Sequence, residues 1–383
     1  MAAGTSHPQR VVPLFETGRD LEHAGATMTD LLAIPWYRNR IGGHQEVMIG
    51  YSDSAKDAGR MSADWALYRA QEEVVAACEQ RDVRLTLFHG RGGSIGRGGG
   101  PTYLAIQSQP PGSIRGTLRA TEQGEMIQAK FGLVDIAIRT LEVYTTATLE
   151  AAVAPQPMPA PEWRTCMDKV AARARATYRS VVYEHPRFIP YFRTATPEPE
   201  LTRISIGSRP ARRTPGNGVE SLRAIPWQFA WTQTRLMLPS WLGIEDALSD
   251  EHADMLREMY SKWAFFASTI DLVEMTLAKA DARIAAQYDR LAPEDLRPLG
   301  RDLRDRLARA IDAVRTVTGH GLLLEANPVL RRSIDVRNPY VDPINLVQVE
   351  LLRRLREPNP DPALFDAFVV TVNGIAAGMR NTG

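Results

Sequence analysis

Four short apolar segments of the chain end in polar or charged residues. Arg10–Phe15 runs into Glu16, and Val47–Gly50 runs through Tyr51 and Ser52 to Asp53. Leu85–Phe88 ends at His89, and Glu220–Ile225 carries Arg223. Unbroken apolar runs of this length fit strands buried on both faces, as in a parallel sheet. Helical patterns separate them. Arg19–Leu32 is one, and Ala63–Gln80 is another, with Trp65, Tyr68, Val74, Val75 and Cys78 at near-helical spacing. A longer helical region runs from Gln123 to about Val153. Strands alternating with helices imply parallel crossovers. Chemistry-bearing residues at strand C-terminal ends are the signature of a (β/α)8 barrel mouth. Four strands are half of what such a barrel needs, so the pattern predicts one part of a larger barrel.

The proline-rich stretch Ala154–Pro161 reads as a short stiff connector. Trp163–Tyr183 is helical, and Pro186–Gly218, rich in Pro, Arg and Gly, reads as an extended functional loop. After Pro239 the pattern is almost all helix, over about 244–289, 293–317, 342–356 and 361–379. Ala363–Met379 is apolar nearly all round, which predicts a buried helix. The chain then divides into residues 1–240, the barrel half with its motifs, and 241–383, a helical C-terminal region.

Composition changes this picture little. Of 383 residues, 44% are hydrophobic and 24% charged, as in a globular protein, and a net charge of +1 implies no polyanion-binding surface. Cys78 and Cys166 have neither metal spacing nor a disulfide framework. No apolar run suggests a signal peptide or a membrane helix. The expectation is a soluble cytoplasmic protein without nucleic-acid or membrane partners. Only five of the 46 basic residues are lysine: Lys56, Lys130, Lys169, Lys262 and Lys279. Such lysines are either residual or kept where a compact, titratable amine is needed.

The chemistry concentrates in Leu87–Pro101, where seven of fifteen residues are glycine and His89, Arg91 and Arg97 stand among them. Each glycine costs roughly 0.5–1 kcal/mol of order relative to alanine. Glycine with arginine suggests backbone amides and guanidinium groups closing on an anion; a plain surface loop is the alternative. The dinucleotide fingerprint and the Walker loop both fail on spacing. Glu16 and Asp53 are either ligands for Mg²⁺ or Mn²⁺, which take one or two carboxylates plus substrate oxygens, or caps of the following helices. Lys56 and Asp57 follow closely, as beside a phosphate-bearing substrate. His89 is a general acid or base, or a satisfied strand-end histidine. Arg209 and Arg223 are phosphate donors or structural cations.

Six segments together carry a resemblance. They are Val47–Gly59 (VMIGYSDSAKDAG), Phe88–Pro101 (FHGRGGSIGRGGGP), Thr121–Ile127 (TEQGEMI), Tyr191–Pro197 (YFRTATP), Glu220–Trp227 (ESLRAIPW) and Ala376–Gly383 (AAGMRNTG). With them the chain closely resembles the phosphoenolpyruvate carboxylase family, from about Val11 to its last residue, over less than half of a typical member. The resemblance implies an α/β fold with predominant helix: the C-terminal half of a (β/α)8 barrel with a large helical C-terminal region. It implies condensation of phosphoenolpyruvate with bicarbonate to oxaloacetate and phosphate, with Mg²⁺ or Mn²⁺, in a homo-oligomer that is a tetramer in the family. By resemblance Glu16 and Asp53 are metal ligands, and Arg91, Arg209 and Arg223 bind the substrate phosphate. Lys56, His89, Arg91, Arg97 and Lys130 are catalytic. Arg97, Lys279, Arg337 and Asn381 hold aspartate or malate as inhibitor. A second catalytic histidine and a further phosphate-binding arginine of the family lie in its N-terminal half and have no counterpart here. The expectation is therefore that the chain works with an N-terminal half. The alternative is an incomplete fragment that only binds metal, phosphate or aspartate.

Overall fold

In a computed structural model, the structure describes residues 9–90, 102–122, 124–204, 218–248 and 250–379. A four-stranded parallel sheet in the order β1-β2-β3-β4 forms its first part. The strands are β1 (Leu14–Phe15), β2 (His44–Gly50), β3 (Arg84–Gly90) and β4 (Arg119–Ala120). Phe15 pairs with Ile49, Ile49 with His89, and His89 with Ala120, so the strand ends lie side by side. Helices α1 (Gly18–Glu22), α2 (Ala24–Ala33) and α3 (Pro35–Ile41) join β1 to β2, and α4 (Ser52–Ala58) and α5 (Arg60–Glu79) join β2 to β3. Then come α6 (Thr102–Gln107), and after β4 the helices α7 (Gly124–Phe131), α8 (Val134–Val153) and α9 (Pro161–Val182).

Helix α5 explains how sheet and helical region share one body. Leu67, Val74 and Cys78 pack with Val47, Ile49, Leu85 and Leu87 of the sheet. Met61, Trp65 and Tyr68 join a second core built with α9 and the C-terminal helices. Two apolar stripes on one helix thus face two cores.

The remaining helices are α10 (Phe188–Ala195), α11 (Glu198–Leu201), α12 (Ala224–Gln233), α13 (Ile244–Ala247), α14 (Ala253–Lys262), α15 (Ala264–Lys279), α16 (Ala282–Asp289), α17 (Arg297–Thr318), α18 (Pro328–Leu355) and α19 (Ala363–Met379). The chain is a predominantly helical α/β protein with a small parallel sheet. Four expectations are corrected. Residues 220–225 are no strand: a 3₁₀ turn, Val219–Ser221, leads into α12, whose Trp227 and Trp231 are fully buried. A short apolar run fits a buried helix as well as a strand. The fourth strand is β4, only two residues long. The stretch 186–218 holds α10, whose Phe188, Tyr191 and Phe192 are buried, so part of it is core rather than loop. Helix α19 is buried on one side only, through Phe368, Val372 and Ile375, while Val370 is exposed.

Helix α18 also begins well before the expected residue 342 and runs through Pro339 and Pro343. Both prolines are exposed, so the carbonyls they leave without an amide donor can turn to water.

At α16, Asp281 accepts from the Arg283 amide (2.8 Å) and the Ile284 amide (3.1 Å). Burial raises its pKa, but hydrogen bonds from the Arg283 side chain and these amides outweigh it and hold the carboxyl below its ordinary value. Such a group stabilises the fold above its unfolded pKa, and that contribution fades as pH falls through the lower folded value. Asp281→Ala is expected to cost about 1 kcal/mol at neutral pH, with a smaller difference in acid, read by denaturant unfolding at both pH values.

Candidate active site

The parallel register determines the site. Continuing β1 past Phe15 puts Glu16 beside Gly50, the last residue of β2. A Cβ on Gly50 would lie 2.5 Å from Glu16 Cβ and 3.1 Å from its Cα. Glycine is needed there because two backbones and a carboxylate side chain share the space. Gly50→Ala is therefore expected to displace Glu16 and to destabilise the fold by about 1–3 kcal/mol, measured by denaturant unfolding.

Glu16 is not the cap of α1. Thr17 is, with Asp20 completing a capping box: Thr17 Oγ1 accepts from the Asp20 amide at 3.2 Å, and Asp20 accepts from the Thr17 amide at 3.0 Å. Asp53 is buried in the first turn of α4, where a carboxylate suits the helix dipole, and it follows Gly50 by three residues. Both carboxylates thus belong to the ends of adjacent strands. Among the described residues no cluster of three or more His, Cys, Asp or Glu forms a metal-binding group. Two carboxylates completed by substrate oxygens and water suit Mg²⁺ or Mn²⁺ rather than a closed protein cage.

His89, fully buried, stands on the next strand. Tyr51 Oη lies 2.8 Å from its Nδ1, and the Thr121 amide donates to its carbonyl at 3.0 Å. Lys56 is also buried. Its Nζ donates to the Val219 carbonyl at 3.3 Å and lies 3.6 Å from Asp57. Two tyrosines of the α9 region hold the lysine's own backbone: Tyr178 Oη donates to the Lys56 carbonyl at 2.8 Å and Tyr183 Oη at 3.2 Å. Burial, joined by the charge of Asp57, keeps both phenols protonated well above their ordinary pKa. The Val219 contact ties α4 to the turn that leads into Arg223, the residue preceding α12. Among the described residues, Arg223 Nε is buried without a hydrogen-bond acceptor, as in a side chain shaped for an anion.

Lys130 forms a separate triad. Its Nζ donates to Glu122 at 2.8 Å and to Tyr144 Oη at 3.3 Å, while Tyr144 Oη donates to Glu122 at 3.1 Å. Burial raises the Tyr144 pKa, and Lys130 opposes that. Because Glu122 follows Thr121, which is bonded to His89, the triad adjoins the end of β3.

A second cluster lies among α15, α18 and α19. Lys279 is buried at the end of α15. Arg235 Nε donates to its carbonyl at 2.9 Å and reaches Asn338 at 3.1 Å and Asp342 at 2.6 Å. One residue before Asn338, Arg337 donates to the Gly378 carbonyl at 2.6 Å. Gly378 touches Val341 so closely that a Cβ there would clash with Cγ2, which lets α19 cross α18 and end beside Arg337. Lys279 and Arg337 are thus gathered into one region. Arg91, Arg97, Arg209 and Asn381 lie outside the described residues. Tyr178, Tyr183 and Arg235 carried no signal in the sequence, because each acts across 44 to 127 residues of chain, and Tyr51 and Glu122 lay inside quoted motifs without being singled out. Cys78 and Cys166 are buried and free. No described helix is long and apolar enough to cross a membrane.

Comparison with known proteins meets this geometry. The family model described as phosphoenolpyruvate carboxylase matches residues 2–383. The chain is 58% identical over 388 residues to the phosphoenolpyruvate carboxylase of Ectopseudomonas mendocina, covering all of this chain and 44% of that protein. It is 57% identical over 388 residues to the one from Pseudomonas aeruginosa, again covering all of this chain and 44% of the relative. It is 56% identical over 384 residues to phosphoenolpyruvate carboxylase 4 of Arabidopsis thaliana, covering 98% of this chain and 37% of the relative. The chain therefore spans less than half the length of the curated relatives it matches.

Proposed function

The chain belongs to the phosphoenolpyruvate carboxylase family, and from that premise we propose that its strand ends carry the site at which phosphoenolpyruvate and bicarbonate become oxaloacetate and phosphate, supplying the tricarboxylic acid cycle. One observation carries the reading: Glu16 stands against Gly50, at the head of the loop that leads to Asp53, while Lys56, His89 and the turn before Arg223 gather at the same end of the sheet. In this reading the four strands are the C-terminal half of a (β/α)8 barrel, residues 1–240 form one functional unit, and 241–383 form the regulatory one.

Glu16 and Asp53 hold Mg²⁺ or Mn²⁺. Bound there, the ion would supply stabilisation of the negative charge that develops on the substrate's oxygens. Arg223, with Arg91 and Arg209, holds the phosphoryl group in line as it passes to bicarbonate, leaving an enolate and carboxyphosphate. Lys56, kept close by Val219 and the tyrosine pair, adds a fixed ammonium charge beside the phosphate. His89, Arg97 and the glycine-rich loop exclude water from the two reactive products. Lys130 contributes to turnover from its triad with Glu122 and Tyr144. Aspartate or malate binds to Arg97, Lys279, Arg337 and Asn381 as feedback inhibitor, and the working enzyme is a homo-oligomer.

The test is titration of phosphoenolpyruvate into the chain by calorimetry, with Mn²⁺ and with chelator. Saturable binding that requires the metal supports the reading. Binding of equal strength in chelator, or none in either condition, overturns it.

A further inference from the structure

We propose that Tyr51 is a positioning residue for His89: its hydroxyl donates to Nδ1 and confines the ring to the tautomer that carries the proton on Nε2. This rests on the reading of the strand ends as a phosphoenolpyruvate site, which it deepens.

The contact is fixed from both sides. Tyr51 follows β2 directly and is the N-cap residue of α4, two residues before Asp53. The His89 backbone is paired with Ile49 on one side and Ala120 on the other, and its carbonyl accepts from Thr121. Both side chains are buried, with Oη 2.8 Å from Nδ1. The rings are tilted by 35° with centroids 6.1 Å apart, so the hydroxyl meets the imidazole edge and the rings do not stack. A phenol is a strong donor, and a neutral imidazole offers one acceptor nitrogen and one N–H. The hydrogen bond made at one ring nitrogen sets the state of the other. With Nδ1 accepting, the ring offers an N–H at Nε2, which can steady a substrate oxygen or release a proton to one. It cannot take a proton at Nε2 until it has given one up. Because Tyr51 shares its segment with Asp53, any shift of that segment moves the carboxylate and the histidine's partner together.

The chain with ¹⁵N-labelled histidine rings is observed by NMR, and the His89 signals are those missing from His89→Asn. The expected wild-type pattern is a pyridine-like Nδ1 and a pyrrole-like Nε2. In Tyr51→Phe the two tautomers mix, and phosphoenolpyruvate affinity in Mn²⁺ falls about tenfold, the loss expected for one misdirected hydrogen bond to a charged group. In the His89→Asn background, Tyr51→Phe has no further effect on that affinity. A proton on Nδ1 in the wild type, which needs no variant to be seen, overturns the proposal. So does an unchanged tautomer in Tyr51→Phe, or the same tenfold loss in the His89→Asn background. If neither wild type nor variant binds phosphoenolpyruvate while the tautomer still mixes on loss of the hydroxyl, the positioning contact stands and the functional reading fails.

Discussion

Asp53→Asn loses metal-dependent binding of phosphoenolpyruvate by at least about a hundredfold, some 2.7 kcal/mol. The substitution keeps the shape of the side chain and removes its charge. A divalent cation held by two carboxylates then has one, and an amide is a far weaker ligand for a hard ion. Asp53 is buried, so water is poorly placed to replace the lost carboxylate. Glu16→Gln is expected to act in the same direction, because in the proposed site Glu16 supplies the other carboxylate from the neighbouring strand. Calorimetry in Mn²⁺ reads both. Unfolding curves of Asp53→Asn are expected to shift far less than the binding does, since Asn fits the first turn of α4 and the lost charge–dipole interaction is worth about 0.3–1 kcal/mol. Binding within threefold of wild type would remove Asp53 from the metal site.

Arg235→Ala destabilises the chain by about 3–5 kcal/mol. Arg235 is fully buried, and its guanidinium ties its own segment to two others: the Lys279 carbonyl ending α15, and Asn338 and Asp342 on α18. The Asp281 amide also donates to its carbonyl at 3.0 Å, so its backbone braces the start of α16. Removing the side chain strands the partly buried Asp342 carboxylate and opens a space in the core. Arg235→Lys keeps the charge and loses the planar fork, so an intermediate loss is expected. Denaturant unfolding measures both. If Lys279 and Arg337 hold an acidic inhibitor, aspartate binding falls in the same variants, since Arg235 sets the distance between the helices that carry them. A loss below 1 kcal/mol for Arg235→Ala would show that the three segments hold together without it.

What the sequence made legible follows from how locally each signal is encoded. Strands β2 and β3 and helix α5 are long enough for their apolar periodicity to stand out, and the parallel arrangement follows from helices between strands. Strand β4 is two residues of Arg-Ala, held by pairing with Phe88 and His89 and by nothing in its own composition. Residues 220–225 misled because Leu222, Ala224 and Ile225 look the same in a buried strand and in the entry to a buried helix. The expected helix began only at 342, whereas α18 begins at Pro328 and runs through Pro339 and Pro343, which are tolerated because both face solvent. The places of Glu16 and His89 at strand ends, and of Asp53 and Lys56 just beyond one, were legible in the apolar runs before them, while their roles rest on the resemblance. Their supports were not legible. Tyr178 and Tyr183 grip Lys56 from more than 120 residues away, and no local pattern marks a tyrosine whose partner is a distant carbonyl. Arg235 has ordinary neighbours in sequence and becomes central only once α15 and α18 are packed.

The most direct test of the account is a crystal of the chain soaked with Mn²⁺ and phosphoenolpyruvate, with the metal located by its anomalous scattering. The account predicts one strong peak at the ends of β1 and β2, with carboxylate oxygens of Glu16 and Asp53 at metal-ligand distance and substrate oxygens completing the shell. A peak held by other residues, or Glu16 and Asp53 turned to opposite sides of the sheet in the presence of metal and substrate, would contradict it.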